Sequence, residues 1–195
     1  MLKHYINQIK KPFIWVIRFR KRRGYGVHSP FAFNFITTVL YQRGQFYNYK
    51  LINQLPRSKE ESKRILKLIF RLVNFIQPKT IVYRSTNSFV PEVMRWSRSD
   101  VQISASLNDF TRVDLAYLSY KTPKEDLVYE IRTLWPSLHE DSMLIIYGIG
   151  YSKEMKALWA ELIKDDKSGI SFDLYDMGIL FFNKSKNKQD YIVNF

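Results

Sequence analysis

Cysteine is absent from the 195 residues of the chain, which excludes disulfide bonds and thiolate zinc sites. No apolar run approaches the roughly 20 residues that a membrane-spanning helix needs. The longest run near the N-terminus, Phe13-Ile14-Trp15-Val16-Ile17, is too short for the core of a signal peptide. Because 46% of the residues are hydrophobic and 16% are aromatic, we expect a globular core. The sequence therefore predicts a cytoplasmic protein, either soluble or peripherally attached to a membrane.

Acidic residues are missing from the N-terminal part of the chain. The first fifty residues carry ten Lys or Arg, and the first carboxylate is Glu60. The remaining residues hold 21 basic and 18 acidic side chains, so the net charge of +13 lies mainly in this arm. We predict a basic helical arm at 1–50 and an α/β domain at 51–195. An anionic partner, either nucleic acid or a membrane surface, is expected to meet residues 1–23. The candidate anion-binding residues are Arg18, Arg20, Lys21, Arg22 and Arg23.

Residues 2–19 follow an amphipathic helical pattern, which Pro12 is expected to kink or divide. Its apolar stripe consists of Leu2, Tyr5, Ile6, Ile9, Phe13, Val16 and Ile17, with Lys3, Lys10, Lys11 and Arg18 opposite. The simplest interpretation is that the stripe packs on the core and leaves a solvated basic face. The alternative is a surface for lipid head groups or nucleic-acid phosphates, which clustered Lys and Arg beside aromatic residues attract.

The middle of the chain begins with two helix-start patterns. Ser29 and Pro30 predict the N-cap and first residue of a helix over 30–42. Ser58-Lys59-Glu60-Glu61 matches a capping box that opens a helix ending before Pro78.

Beyond Pro78, short apolar runs alternate with helical ones, which is typical of βαβ units and a mainly parallel sheet. The predicted strands are 80–84, 101–106, 113–119 and 142–148, and the predicted helices are 91–98, 122–136 and 152–164. A turn at Met177-Gly178 then joins two strands that must pair antiparallel because the turn is short. Residues 184–188 predict a solvated tail.

Glycine is absent between Gly44 and Gly148, an interval that includes the turn after the first predicted strand. In nucleotide-binding α/β folds, glycines in that turn let the backbone approach the cofactor without a colliding Cβ. Residues 78–92 therefore have the pattern of a cofactor turn without its glycines.

Several stretches carry a resemblance to a known family. They are Arg23-Gly24-Tyr25-Gly26-Val27-His28-Ser29-Pro30-Phe31, Val113-Asp114-Leu115-Ala116-Tyr117-Leu118, Leu138-His139-Glu140-Asp141-Ser142, Ser152-Lys153-Glu154-Met155 with Trp159, and Asp173-Leu174-Tyr175-Asp176-Met177-Gly178-Ile179-Leu180-Phe181-Phe182. The chain resembles the class I S-adenosylmethionine-dependent methyltransferases, and among them the bacterial O-methyltransferase-like proteins, over most of residues 20–184. The resemblance implies a Rossmann-like α/β fold whose mainly parallel sheet is closed by a C-terminal antiparallel hairpin.

The resemblance also implies a cofactor site, and the chain departs from it at the functional positions. The equivalent positions are Tyr83, Ser85, Asn87, Phe89, Ser119, Tyr147 and Gly148. The family has an acid at the first, glycines where Ser85 and Phe89 stand, an aspartate at Ser119, and a metal-holding pair of aspartates at Tyr147 and Gly148. Ser104-Ala105-Ser106 also lacks the acid that holds ribose hydroxyls in related folds.

These departures predict a degenerate member of the family with no catalytic residue, no metal and no bound S-adenosylmethionine, kept as a binding or regulatory scaffold. Two alternatives stay open. One is an active O-methyltransferase with an atypical cofactor site. The other is an adaptor that binds RNA or an anionic membrane through its basic arm.

The connection between the second and third predicted strands is short. Only residues 107–112 separate them, whereas a parallel connection needs a dozen or more residues. Either 101–106 is not a full strand, or the two strands are not parallel neighbours. We predict that a helix–strand–helix unit is deleted here, which shortens the sheet around its third strand and removes one wall of the cleft. The exposed edge could pair with a protein partner or a second copy of the chain.

Three isolated patterns favour structural roles. Tyr117 and Lys121 have the spacing of the pair in short-chain dehydrogenases but lack a glycine-rich loop. Gly148-Ile149-Gly150 fits a tight turn better than an anion cradle. His28, beside a helix cap, is expected to be a hydrogen-bonded structural histidine.

Overall fold

A computed structural model describes residues 12–58, 61–120 and 124–195 of the chain. The helices are α1 at residues 12–17, α2 (Pro30–Phe35) continued by a π-helical turn (Ile36–Leu40), α3 (Tyr49–Gln54), α4 (Lys63–Ile76), α5 (Phe89–Ser97), α6 (Lys124–Leu134) with a 3-10 turn (Trp135–Ser137), and α7 (Lys153–Lys164). The strands are β1 (Thr80–Arg84), β2 (Gln102–Ser104), β3 (Val113–Ser119), β4 (Leu138–Tyr147), β5 (Ser171–Asp173), β6 (Met177–Phe181) and β7 (Asp190–Ile192).

The strands form one sheet in the order β2-β1-β3-β4-β6-β5-β7. β1 pairs in parallel with both β2 and β3, and β3 pairs in parallel with β4. β6 is antiparallel to β4 and to β5. The predicted Rossmann-like, mainly parallel sheet with a C-terminal antiparallel hairpin is therefore confirmed.

Helices cover both faces of the sheet, so its strands alternate between two apolar cores. This is the arrangement expected of a parallel sheet, whose strands are buried on both sides. Ile81, Leu115, Tyr117 and Ile145 face the core built with α2 to α5, whereas Val82, Ala116, Leu118 and Ile146 face the core built with α6 and α7.

The chain passes from β2 to β3 without a helix, as the short connection predicts. β2 is only three residues long, and β1 lies between it and β3. Residues 101–106 are thus not a full strand, and β2 and β3 are not neighbours in the sheet, so both predicted alternatives are correct. Residues 105–112 form the crossing, and Leu107 and Phe110 pack against the α6–α7 core. This loop covers the sheet face where a helical crossover would otherwise lie.

The helices before the sheet belong to its core. Ser29 caps α2 by accepting a hydrogen bond from the backbone N–H of Ala32 at 3.3 Å, as predicted. Phe35 and Ile52 are buried with residues of α4 and the strands. The division into an arm at 1–50 and a domain at 51–195 stays a prediction. His28 is exposed and its ring makes no hydrogen bond to the described residues, so its predicted structural hydrogen bond is wrong.

The predicted capping box before α4 is wrong. The N-cap is Ser62, whose Oγ accepts a hydrogen bond from the N–H of Ile65 at 3.4 Å. Glu61 is not an exposed first-turn acid but a fully buried side chain. It therefore has partners elsewhere in the fold, which are described below.

The C-terminal part holds two differences from the sequence-based expectation. The hairpin turn lies at 174–176, because Tyr175 adopts a left-handed φ of 68° without being glycine, while Met177 and Gly178 already belong to β6. Beyond the predicted tail, residues 190–192 form β7, which pairs in parallel with β5. The ring of Tyr191 stacks on Phe172 with centroids 5.3 Å apart.

Helix α1 packs against the protein with the side opposite to its apolar stripe, whereas the pattern predicts that the stripe is buried. Arg18 forms a two-pronged ion pair with Asp173, at 2.9 and 3.0 Å, and the amide of Asn194 donates to the carbonyl of Trp15 at 3.0 Å. Phe13, Val16 and Ile17 are exposed. For the described residues the predicted packing of this stripe on the core is wrong; residues 2–11 lie outside the described part.

Candidate functional site

The carboxyl ends of β1 and β3 mark the place where an open α/β sheet binds its ligand. The chain leaves β1 toward β2 on one side, and β3 lies on the other side. Ligands of such folds occupy the crevice outside the carboxyl ends where the strand order reverses. The candidate positions Tyr83, Ser85 and Asn87 lie at or just after the end of β1, and Ser119 ends β3.

Glu61 occupies this crevice. Its Oε1 accepts a hydrogen bond from the Tyr117 hydroxyl of β3 at 2.7 Å and lies 3.4 Å from Ser85 Oγ. Its Oε2 accepts from the side-chain amide of Asn87 at 2.9 Å. The side chain thus joins the loop after β1 to the middle of β3, and the carboxylate, Tyr117 and Asn87 are all buried. Among the described residues these partners are hydroxyl and amide groups, not cations.

The loop after β1 uses its own side chains to satisfy its backbone. Ser85 Oγ accepts a hydrogen bond from the N–H of Asn87 at 3.1 Å, and Asn87 Oδ1 accepts from the N–H of Phe89 at 3.1 Å. Residues 85–89 include no positive φ, so this loop needs no glycine. Two of the N–H groups that a glycine-rich loop would offer to a ligand, those of Asn87 and Phe89, are therefore already engaged.

The remaining candidate positions near β1 and β3 face the protein interior. Tyr83 and Phe89 are half-buried and pack against the core of α2 to α5. Ser119 is fully buried, and its hydroxyl makes no hydrogen bond to the described residues. The structure therefore puts Glu61, rather than the ring of Phe89, between β1 and β3.

A tyrosine cluster fills the ends of β3 and β4. Tyr120, Tyr147, Tyr151 and Tyr175 form a chain of ring contacts with centroids 4.9 to 6.1 Å apart. The Tyr151 hydroxyl donates to Asp176 Oδ1 at 2.9 Å and lies 3.2 Å from the Tyr147 hydroxyl. Tyr147, at one of the two family aspartate positions, is thus a buried aromatic residue.

The glycines beside this cluster allow close packing rather than anion binding. A Cβ at Gly148 would lie 2.4 Å from the ring of Tyr120, and one at Gly150 would lie 2.4 Å from the ring of Tyr175. The N–H of Gly148 donates to the Asp176 carbonyl at 2.6 Å, and that of Gly150 donates to the Tyr175 carbonyl at 2.9 Å. Because both N–H groups are engaged, Gly148-Ile149-Gly150 is a packed turn, as the structural interpretation predicts.

Two carboxylates near the ends of β1 and β2 are committed to protein partners. Glu130 is buried on α6 and accepts from Nε of Arg84 at 2.5 Å. Arg84 also donates to the carbonyl of Ala105 at 3.2 Å, which ties the end of β1 to the crossing loop. Asp109, in the turn after β2, accepts from the hydroxyl of Ser104.

At the opposite end of the strands, Asp114 joins β1 to β4. Its Oδ2 accepts from the N–H groups of Lys79 at 2.7 Å and Thr80 at 3.0 Å. His139 Nδ1 accepts from the N–H of Asp141 at 3.2 Å, so its Nε2 carries the proton given to Asp114 Oδ1 at 3.0 Å. Although burial acts to raise the pKa of Asp114, these hydrogen bonds hold it below its usual value. The family-like stretch around His139 is therefore a structural clamp.

The tyrosines at the strand ends are held in their neutral form. Burial raises the pKa of Tyr117 well above its usual value, and the neighbouring Glu61 carboxylate adds to the effect. Burial likewise raises the pKa of Tyr147 and of Tyr151, with a further contribution from Asp176 in each case.

Alkaline pH is therefore expected to destabilise the protein. A folded-state pKa above the unfolded value of about 10 gives stability that is complete below pH 10 and is lost as the pH rises above it. Each of the three tyrosines should cost about 1 kcal/mol between pH 10 and pH 11, or about 3 kcal/mol together. Urea unfolding across this range measures the loss. A cluster that ionises, as measured by tyrosinate absorbance, without unfolding would contradict the prediction.

The residues at the strand ends differ in charge from those that the resemblance implies. At the positions where the resemblance implies acids stand Tyr83 and Ser119, whereas the acid in the crevice is Glu61, which is held by Tyr117 and Asn87. Among residues 12–58, 61–120 and 124–195, no group of three or more His, Asp or Glu could hold a metal ion. The arrangement is a set of hydrogen bonds and ring contacts in which the Ser119 hydroxyl and Glu130 Oε2 have no partner among the described residues, and Glu61 is the residue that sequence reasoning missed.

The basic residues of the arm differ in their surroundings. Arg18 is committed to Asp173. Arg22 lies over the rings of Phe19, at 3.8 Å, and Trp15, at 5.2 Å. Arg20, Lys21 and Arg23 are exposed. The structure thus separates one buried structural cation from a set that solvent can reach.

Comparisons with known proteins agree in fold at very low identity. No family model and no curated protein matches the chain. An SAH-bound methyltransferase of Podospora anserina shares 8% identity over 69% of this chain and 86% of its own, with a TM-score of 0.45. A methyltransferase from Geobacter sulfurreducens shares 10% identity over 70% of this chain and 96% of its own, with a TM-score of 0.44. By its own strand order and register, the chain has a Rossmann-like α/β fold whose mainly parallel sheet is closed by an antiparallel hairpin.

Proposed function

We propose that the protein is a non-catalytic scaffold that keeps the methyltransferase-like frame and takes no S-adenosylmethionine at its strand ends. The observation that carries the proposal is the position of Glu61, whose buried carboxylate joins the loop after β1 to Tyr117 of β3. A cofactor in this crevice must displace that side chain and break three contacts within the protein. It gains no open glycine loop in return, because the N–H groups of Asn87 and Phe89 are already engaged.

Electrostatics supports the same conclusion. A buried ionised group is costly unless its partners satisfy it, and Glu61 is satisfied only while Tyr117 and Asn87 remain in contact with it. A ligand that displaced the Glu61 side chain would leave its carboxylate, the Tyr117 hydroxyl and the Asn87 amide without their partners in a buried crevice. The tyrosine cluster fills the adjoining ends of β3 and β4.

A thermal-shift measurement with S-adenosylmethionine and S-adenosylhomocysteine tests the proposal. A ligand that binds only the folded state at on the order of 10 μM would, at about 1 mM, stabilise it by about 2.7 kcal/mol. For a chain of this size that raises the melting temperature by about 5–10 °C. We expect that neither compound raises the melting temperature above that of the protein in buffer alone. An increase of this size with either compound would instead support the active methyltransferase.

A further inference from the structure

Helix α1 exposes apolar side chains on the face turned away from the protein. Phe13, Val16 and Ile17 are spaced so that they share one side of the helix, and their exposed fractions are 68%, 66% and 77%. Helices of soluble proteins normally bury such a stripe. Here the buried side is fixed instead by Arg18 on Asp173 and by the bond from Asn194 to Trp15. The outward orientation of the stripe is therefore built into the fold.

The exposed apolar surface continues past α1 into a groove. Phe19, Tyr25 and Phe33 line this groove together with Arg20, Arg22 and Arg23, and the N–H of Phe19 bonds to the carbonyl of Val16 at 3.1 Å. We define the basic aromatic surface as Phe13, Val16, Ile17, Phe19, Tyr25 and Phe33 with Arg20, Lys21, Arg22 and Arg23.

The charge of this surface has one sign. The sequence has no carboxylate before Glu60, and Arg20, Lys21 and Arg23 are exposed. Of the two acids beside the segment, Asp173 is paired with Arg18 at 2.9 Å, and Asp190, which lines a pocket with Lys21 and Tyr25, accepts from the Ser171 hydroxyl at 2.6 Å. Cations interspersed with exposed aliphatic and aromatic side chains are the composition of segments that lie in the interface of an anionic bilayer.

We propose that the basic aromatic surface binds the surface of an anionic phospholipid membrane, with Phe13, Val16 and Ile17 entering the boundary of the acyl chains and the cations meeting the head groups. Among the described residues, no helix is long and apolar enough to cross a bilayer. The attachment is therefore peripheral. It is independent of whether the strand ends hold a cofactor.

Two other occupants fit the surface less well. A second copy of the chain would bring two cationic surfaces together, and like charges across an interface are unfavourable. Single-stranded nucleic acid would satisfy the cations, and its bases stack on planar rings. The surface offers exposed rings for stacking, but Val16 and Ile17 are aliphatic and would stay exposed to water beside nucleic acid. The acyl chains of a lipid bilayer, in contrast, can bury such aliphatic side chains.

Vesicle co-sedimentation of the full chain tests the proposal. We expect binding to phosphatidylcholine vesicles with about 30% phosphatidylserine, weakening as NaCl rises from about 0.1 M to about 0.5 M. Arg20→Glu with Lys21→Glu should weaken it at least about tenfold, because each cation near the surface contributes about fivefold. Val16→Ser with Ile17→Ser should weaken it about tenfold through lost apolar burial.

The controls match each change elsewhere on the protein. Lys153→Glu with Lys156→Glu reverses two exposed cations of α7, and Tyr129→Ser removes an exposed apolar side chain of α6; both should bind within about twofold of the parent. Unchanged melting temperatures show that the variants fold. Equal binding to pure phosphatidylcholine, no binding to either vesicle, or retained binding by the surface variants would overturn the proposal. The proposal would also be overturned if a single-stranded RNA probe bound through the same residues and vesicles did not bind.

Discussion

Replacing Glu61 with leucine is expected to lower the free energy of unfolding by about 3–5 kcal/mol. The carboxylate accepts from the Tyr117 hydroxyl at 2.7 Å and from the Asn87 amide at 2.9 Å. Each buried donor left without its acceptor costs about 1–3 kcal/mol. The loop after β1 also loses its link to β3. Urea unfolding followed by circular dichroism measures the change.

A double-mutant cycle separates this network from general damage to the core. Adding Tyr117→Phe to Glu61→Leu removes one stranded donor together with its acceptor. The double variant should therefore be more stable than the sum of the single losses predicts, by about 1 kcal/mol or more. Glu140→Leu, at an exposed acid of β4, should change the free energy of unfolding by less than about 0.5 kcal/mol. A Glu61→Leu protein as stable as this control would refute the role assigned to Glu61.

Replacing Arg71 with methionine is expected to lower the free energy of unfolding by about 3–5 kcal/mol. This buried guanidinium of α4 donates to the carbonyls of Val39 at 2.6 Å and Leu40 at 3.1 Å, and to the Tyr49 hydroxyl at 3.0 Å. The two carbonyls end the π-helical turn after α2, where backbone acceptors have no partner within the helix. Arg71 therefore fixes α2 and α3 against α4, and urea unfolding measures its loss.

Lysine at the same position supplies the matched comparison. An ammonium group keeps the charge but cannot reproduce the planar fork that reaches three acceptors. Arg71→Lys should therefore fall between the parent and Arg71→Met in the free energy of unfolding. Equal stability of Arg71→Lys and the parent would mean that charge alone, rather than the three hydrogen bonds, holds these helices.

The sheet could be predicted from the sequence because its signals are local. The apolar runs of β1, β3 and β4 are bounded by turns and helices, and burial on both faces needs only continuous apolar residues. The short connection after residue 104 limited the possible pairings. The placement of the strands and the antiparallel hairpin could therefore be predicted. The turn of the hairpin was misplaced because Tyr175 takes a left-handed conformation that sequence rules assign to glycine.

The candidate site could not be predicted because its contacts are distant in sequence. Glu61 matches a helix-cap pattern, and only the fold brings it to Tyr117, 56 residues later. The docked side of α1 is decided by Arg18 and Asp173, 155 residues apart; periodicity gives the stripe but not its orientation. β7 is three residues long, and its pairing depends on β5 being available at the sheet edge.

Calorimetric titration of the full chain with S-adenosylhomocysteine tests the central claim most directly, because we propose that Glu61 occupies the space that the cofactor would need. The structure predicts no saturable heat up to about 1 mM ligand, which corresponds to an affinity weaker than about −4 kcal/mol. One-to-one binding at on the order of 10 μM or tighter would contradict the account. It would show that Glu61 and the tyrosine cluster leave the crevice open to the cofactor.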